Sequence, residues 1–175
     1  MPLPLGHTAI GLTVHDACFR DNSVTTRWIY VLFIAILANL PDIDVLIGLF
    51  FQGNGNAYHR GPAHSVMFAF LMGFLASQAW KLLPQIPKMN FLACFGIILS
   101  HVGADFLLTS SPVSFFWPLE VNWSAGYSGW GDVISLVFLG AFRDVGIIII
   151  CGVIMILKHV VTQIRHHALR DSRPG

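Results

Sequence analysis

The stretch MNFLACFGIILSHVGADFLLT, residues 89–109, sets two ionisable side chains, His101 and Asp105, inside an otherwise apolar segment. As a helix it reaches about 30 Å, enough to cross the hydrocarbon core of a bilayer. A charged side chain at that depth costs about 2.5 to 3.5 kcal/mol on insertion scales, so such residues mark a functional site or a paired network. The i, i+4 spacing puts both on one helical face, where an imidazole nitrogen and a carboxylate oxygen can close on one cation. An interhelical hydrogen-bond pair that glues spans together is the structural alternative.

Composition extends the membrane reading to the whole chain. Of 175 residues, 55% are hydrophobic and 11% charged, with mean hydropathy +0.68. That charge content is about half the level usual in soluble domains. The formal net charge of +1 gives no footprint for nucleic acid. Cys18, Cys94 and Cys151 lack any paired spacing and read as small apolar residues, neither a disulfide framework nor a zinc knuckle. No basic n-region precedes an apolar core at the start, so Met1 to Arg20 is expected to belong to the mature structure.

Working outward, the sequence predicts an all-α polytopic membrane helix bundle of about four transmembrane spans plus an N-terminal half-span. The spans are Trp28–Phe51, broken near Pro41; His64–Leu83; Met89–Thr109; and a last one from near Asp132 to near Leu157, with Arg143 and Asp144 inside it. His7–Arg20 is the half-span, with Gly6 and Gly11 permitting close packing. Residues 1–165 make one membrane domain, and 166–175 end a polar tail expected to fray.

Lysine and arginine orient the bundle. Eight of the ten, Arg20, Arg27, Lys81, Lys88, Lys158, Arg165, Arg170 and Arg173, fall on one side of the alternating spans, and the positive-inside tendency makes that side cytoplasmic. His7, Asp42, Asp44, His59, His64, His101 and Asp105 then gather at the extracytoplasmic end, although none of them was used to set the topology. These are the candidate metal ligands. Zinc or manganese, as one or two ions, suits such nitrogen and oxygen donors better than magnesium or calcium does. Asp44 can equally stop or cap a helix after Pro41, an alternative weaker for Asp42 directly after the proline, and His7 can be one of the exposed histidines common near termini.

In His59-Arg60-Gly61-Pro62-Ala63-His64-Ser65, Pro62 suits a first helical turn, with His64 near the start of the span and His59 on the loop before it. Arg60 is the cation beside these ligands and can clamp a phosphate or carboxylate. Arg143 and Asp144 read as structural partners of another span or as a helix end. The aromatic run from Phe115 through Trp117, Trp123, Tyr127 and Trp130 reads as an interfacial belt or as a lid over the ligands, with Glu120 and Asp132 as minor candidates for acid or ligand. His159, His166 and His167 read as part of an interfacial helix near anionic headgroups.

Leu40-Pro41-Asp42-Ile43-Asp44, the His59–Ser65 segment and His101-xxx-Asp105, preceded by Gly6-His7, resemble the YdjM-like predicted membrane-bound metal-dependent hydrolases. The match in order and spacing runs from His7 to about Pro118, with Ala63 where that family often has threonine. The helical His-xxx-Asp is more loosely similar to the zinc-dependent phospholipase C and P1 nuclease group. The second resemblance implies phosphoester hydrolysis on a multi-zinc, all-helical scaffold. With the membrane setting, the expectation is an enzyme of a bacterial inner membrane that hydrolyses a phosphoester or related bond of a lipid or lipid-linked substrate. Metal-activated water would be the nucleophile, Asp42 or Asp105 a bridging ligand or proton acceptor, and Arg60 the clamp. A divalent-cation or proton transporter with His and Asp ligands on its spans is the alternative. An assembly protein holding a structural metal is a third reading.

Overall fold

The computed structural model describes residues 3–18, 28–109, 112–119 and 143–171. Among them the regular structure is helical: α1 Pro4–Cys18, α2 Trp28–Ala38, α3 Ile43–Gln52, α4 Val66–Gln78, α5 Phe91–Leu108 and α6 Arg143–Asp171, with short 3₁₀ turns at Leu40–Asp42, Pro62–His64 and Ala79–Lys81.

Helix α5 is the axis. Its buried residues, Ala93, Cys94, Ile97, Ile98, His101, Val102, Ala104 and Asp105, recur at helical spacing along its length. Phe33, Ile34, Leu37 and Ala38 of α2 and Ala69 of α4 close on the apolar part of that stripe. Helix α1 buries Gly6, His7, Gly11 and His15 on one face. At Gly11 it passes so near that an added Cβ would lie 2.8 Å from the Ala38 Cβ. Gly73 does the same for α4 and α5, where a Cβ would lie 2.8 Å from the Phe95 Cα. Small residues at helix crossings let backbones approach, the usual means of packing helices in a bilayer.

Among the described residues two helices, Phe91–Leu108 and Asp144–Arg165, are long and apolar enough to cross, and a third span results if α2 and α3 with its leading turn form one, bent by 53°; the expected count of four is not reached there. The break at Pro41 stands where the sequence placed it. The expected span His64–Leu83 is shorter because His64 sits in a 3₁₀ turn and Ser65 caps α4, its Oγ accepting the Phe68 N–H at 3.0 Å. Only 13 residues remain in α4 proper, about 20 Å of helix. The last helix runs unbroken from Arg143 to Asp171, so much of the expected polar tail is helical. Its expected start near Asp132 lies outside the described residues.

Asp144 begins α6 and holds the start of α1, its two carboxylate oxygens accepting the Leu3 N–H at 2.7 Å and the Gly6 N–H at 3.0 Å. A carboxylate here satisfies orphan amides and faces the positive end of the helix dipole. About four turns on, Lys158 of α6 meets Asp16 of α1 at 3.1 Å, so the two helices run parallel.

Two substitutions test this packing. Gly73→Leu must push a side chain into the α5 backbone and is expected to cost about 1 to 3 kcal/mol, against little change for Gly103→Ala, whose Cβ meets nothing within 4 Å. Asp144→Ala is expected to cost about 1 to 2 kcal/mol through the lost cap. Thermal unfolding of the detergent-solubilised chain reads both, and an unmoved midpoint for Gly73→Leu would refute the close crossing.

Candidate metal centre

The bend between α2 and α3 begins as a backbone problem. Pro41 has no N–H to return to the preceding turn, and the Asp42 N–H turns instead to the Asn39 carbonyl at 3.2 Å. The Ala38 carbonyl, four residues before Asp42, is thereby released from the helical ladder. His101 takes it up, with Nδ1 2.7 Å from that oxygen. A carbonyl only accepts, so His101 Nδ1 carries the proton and its Nε2 presents a lone pair. The bend is anchored by Asn39, whose Nδ2 donates to Thr8 Oγ1 at 3.0 Å and to the Ala35 carbonyl at 2.8 Å.

Around His101 Nε2 the other donors assemble. It lies 3.3 Å from His64 Nε2 and 3.5 Å from Asp42 Oδ1. His64 Nε2 is 3.7 Å from Asp42 Oδ1 and 3.5 Å from Asp105 Oδ2, and His7 Nε2 is 3.5 Å from Asp105 Oδ1. The His7 ring stacks on that of His101 with centroids 3.6 Å apart. His7, His64, His101 and Asp105 are essentially inaccessible, while the Asp42 side chain keeps 19% of its surface exposed.

The nitrogen-to-oxygen separations of 3.5 to 3.7 Å are longer than the usual N–H···O range of about 2.7 to 3.2 Å, while the 3.3 Å contact between the two imidazoles lies within hydrogen-bond reach. Donors 2.0 to 2.1 Å from a tetrahedral cation stand about 3.3 to 3.4 Å from one another. His7 Nε2, Asp42 Oδ1 and both Asp105 oxygens have no hydrogen-bond partner among the described residues. Lone pairs facing one another in a dry pocket are costly unless something positive lies between them. The residues fit a metal ion: His7, His101 and Asp105 form one possible ligand group, and Asp42, His64 and His101 a second that shares His101.

Asp44 and His59 complete a third group with His64, of different character. Asp44 Oδ1 is 3.1 Å from His59 Nδ1, and Oδ2 accepts the Arg60 backbone N–H at 3.1 Å. His64 Nδ1 lies 2.9 Å from Asp44 Oδ2 but outside hydrogen-bond geometry. The carboxylate thus fastens the loop before α4 and faces the rear of His64, whose Nε2 points at the pocket.

Arg60 holds the turn with a left-handed backbone, φ 67°, in a conformation uncommon for any residue but glycine. Its carbonyl accepts the Ser114 N–H at 3.1 Å, and the Phe115 carbonyl accepts the Val66 N–H at 3.0 Å. The chain beyond α5 therefore folds back over the ligand loop. Arg60 Nε reaches to 3.7 Å from Asp105 Oδ2. All seven predicted ligands and Arg60 come together. What sequence reading missed is the support: the Ala38 carbonyl, Asn39, and the return of Ser114 and Phe115, none of which carries a motif. Trp123, Tyr127, Trp130, Glu120 and Asp132 lie outside the described residues.

The architecture is that of an integral membrane helix bundle with a buried His/Asp pocket able to bind a metal. The YdjM inner membrane protein family model matches residues 1–168, and the chain belongs to that family. It is 32% identical over 123 residues to the inner membrane protein YbcI of Escherichia coli (strain K12), covering 67% of this chain and 68% of that one. No solved structure matches.

The pocket makes a direct prediction. Protein purified without chelator should carry a divalent transition metal, and His101→Ala and Asp105→Ala should each lower its content at least tenfold by elemental analysis. Metal-free wild-type protein that does not take up added zinc would end the metal reading.

Proposed function

We propose that this chain is a membrane-bound metal-dependent hydrolase whose pocket holds one divalent ion, zinc before manganese, and cleaves a phosphoester or related bond of a lipid or lipid-linked substrate. One observation carries it: five buried donors, His7, Asp42, His64, His101 and Asp105, are linked through gaps of 3.3 to 3.7 Å, with a guanidinium beside them. Charge among the described residues suits a single divalent ion when the imidazoles are neutral: Asp42, Asp44 and Asp105 bring three negative charges and Arg60 one positive, a deficit of two that one such ion cancels. Three nitrogen donors favour a transition metal over magnesium or calcium.

A divalent ion bound there supplies Lewis-acid polarisation and acidifies a water. The protein's own groups divide the remaining work by exposure. Asp105 is wholly enclosed and acts as ligand, whereas Asp42, open on one side, is placed to take a proton from an entering water. Arg60 is a charge-bearing planar donor that can hold a phosphoryl oxygen. Asp44 and His59 position rather than ligate, holding the loop that carries Arg60 and backing His64. Phe115 and Phe116, on the strap over this loop, offer an apolar wall to a lipid chain.

The donors lie at one end of α5, and below His101 its buried positions are Ile98, Ile97, Cys94 and Ala93. That distribution favours chemistry at one membrane face over a polar relay for transport. Lys81 and Lys88 at the far end support, through the positive-inside tendency, a reading in which this face lies outside the cytoplasm.

A phosphomonoester and phosphodiester lipid panel, assayed with the reconstituted protein with and without chelator, tests the reading. Arg60→Gln should lower kcat/KM by about 10²-fold or more while metal content stays at the wild-type level, a split that loss of folding does not produce. Chelator-resistant turnover would overturn the proposal, as would metal flux into proteoliposomes without hydrolysis of any member of the panel.

A further inference from the structure

At the opposite end of the bundle lies a second cavity, of about 450 Å³, lined by Ile29, Tyr30, Trp80, Lys81, Gln85 and Lys88 among others. Helix geometry sets its distance from the metal pocket. Trp80 is fourteen residues beyond Val66 along α4 and its terminal turn, about 20 Å. In α5 the order is the same, with Lys88 just before the first turn and His101 and Asp105 in the last two. The two pockets therefore face opposite sides of the apolar slab.

Among the described residues the lining has one sign: Lys81 and Lys88 bring two positive charges, and no carboxylate is among them. Ile29 and Tyr30, in the first turn of α2, add the positive end of a helix dipole. Lys88 is not free to wander, because its Nζ sits 4.9 Å over the Trp80 ring. Pro84 and Pro87 stiffen the loop that forms the rim. Beside Lys81, Leu82 and Leu83 stand exposed at 86% and 56%. A cationic cavity bordered by exposed leucines, at the end of apolar helices, matches a molecule with an anionic head and hydrocarbon tails.

We propose that this cavity binds the phosphate headgroup of an anionic membrane phospholipid such as phosphatidylglycerol. Lys81 and Lys88 contact the phosphodiester oxygens, Tyr30 and Gln85 are within the cavity to hydrogen-bond the head alcohol, and the acyl chains run along Leu82 and Leu83. Clustered basic residues at the cytoplasmic end of spans attract anionic lipid in this way. The site is separate from the metal pocket and does not depend on the hydrolase reading.

Native mass spectrometry of the full chain, delipidated in detergent and then offered phosphatidylglycerol or phosphatidylcholine, tests it. Phosphatidylglycerol adducts should survive collisional activation that strips phosphatidylcholine, and the double variant Lys81→Gln/Lys88→Gln should lose them about tenfold or more. Phosphatidylcholine adducts and the unfolding midpoint should not change, since both lysines are exposed. Lys81→Arg/Lys88→Arg should keep the preference. Equal retention of the two lipids by the wild-type chain would overturn the proposal whatever the variants do. Displacement of phosphatidylglycerol by millimolar inorganic phosphate would also overturn it, showing a site for a free anion.

Discussion

Three carboxylates, those of Asp42, Asp44 and Asp105, are enclosed together at one end of an apolar helix bundle, and the rest of the structure is arranged around that expense. Only one guanidinium, that of Arg60, approaches them among the described residues. In a medium of low dielectric an uncompensated pair of negative charges is far costlier than any cap or crossing can offset. The pocket is tolerable with a cation in it or with imidazoles protonated. Two imidazole nitrogens, His101 Nε2 and His64 Nε2, stand 3.3 Å apart, close enough to share one proton or to serve as neighbouring ligands of one ion.

Three elements share the labour of building that pocket. The bend at Pro41 turns Asp42 and Asp44 off the axis of α2 and releases the carbonyl that orients His101. The left-handed Arg60 closes the loop that brings His59 and His64 into place. Asp144, near the other end of the sequence, pins the first turn of α1 and so fixes the depth of His7. Each is a local backbone event whose effect is felt several residues away, at a ligand. Local strain and cost of this sort collect at functional sites because the surrounding packing over-determines them.

Family membership speaks for the membrane setting, and the donor geometry speaks for the pocket. The YdjM match covers residues 1–168, and the motifs at His7, Leu40–Asp44, His59–Ser65 and His101–Asp105 all fall within it. The donor separations come from packing alone. The lysine cavity at the other end belongs to neither, and it gives the bundle two chemically distinct faces, one acidic and imidazole-rich, the other cationic and bordered by leucines.

The sequence by itself determined that the chain is helical and membrane-embedded, that the helix through Pro41 breaks, and that the buried His and Asp residues share one end. These follow from hydropathy, proline chemistry and the side taken by lysine and arginine, all of which act within a few residues. Its four spans exceed the two or three that the described helices supply, because the length of an apolar run does not show where a cap such as Ser65 will begin a helix. Tertiary structure alone decided which atoms meet. That Asp44 meets the Arg60 amide, that His101 Nδ1 meets the Ala38 carbonyl and that Asp144 meets the start of α1 all depend on atoms brought together from 16 to 141 residues apart. No sequence spacing encodes such distances; only the packing of α1, α2 and α4 onto α5 sets them.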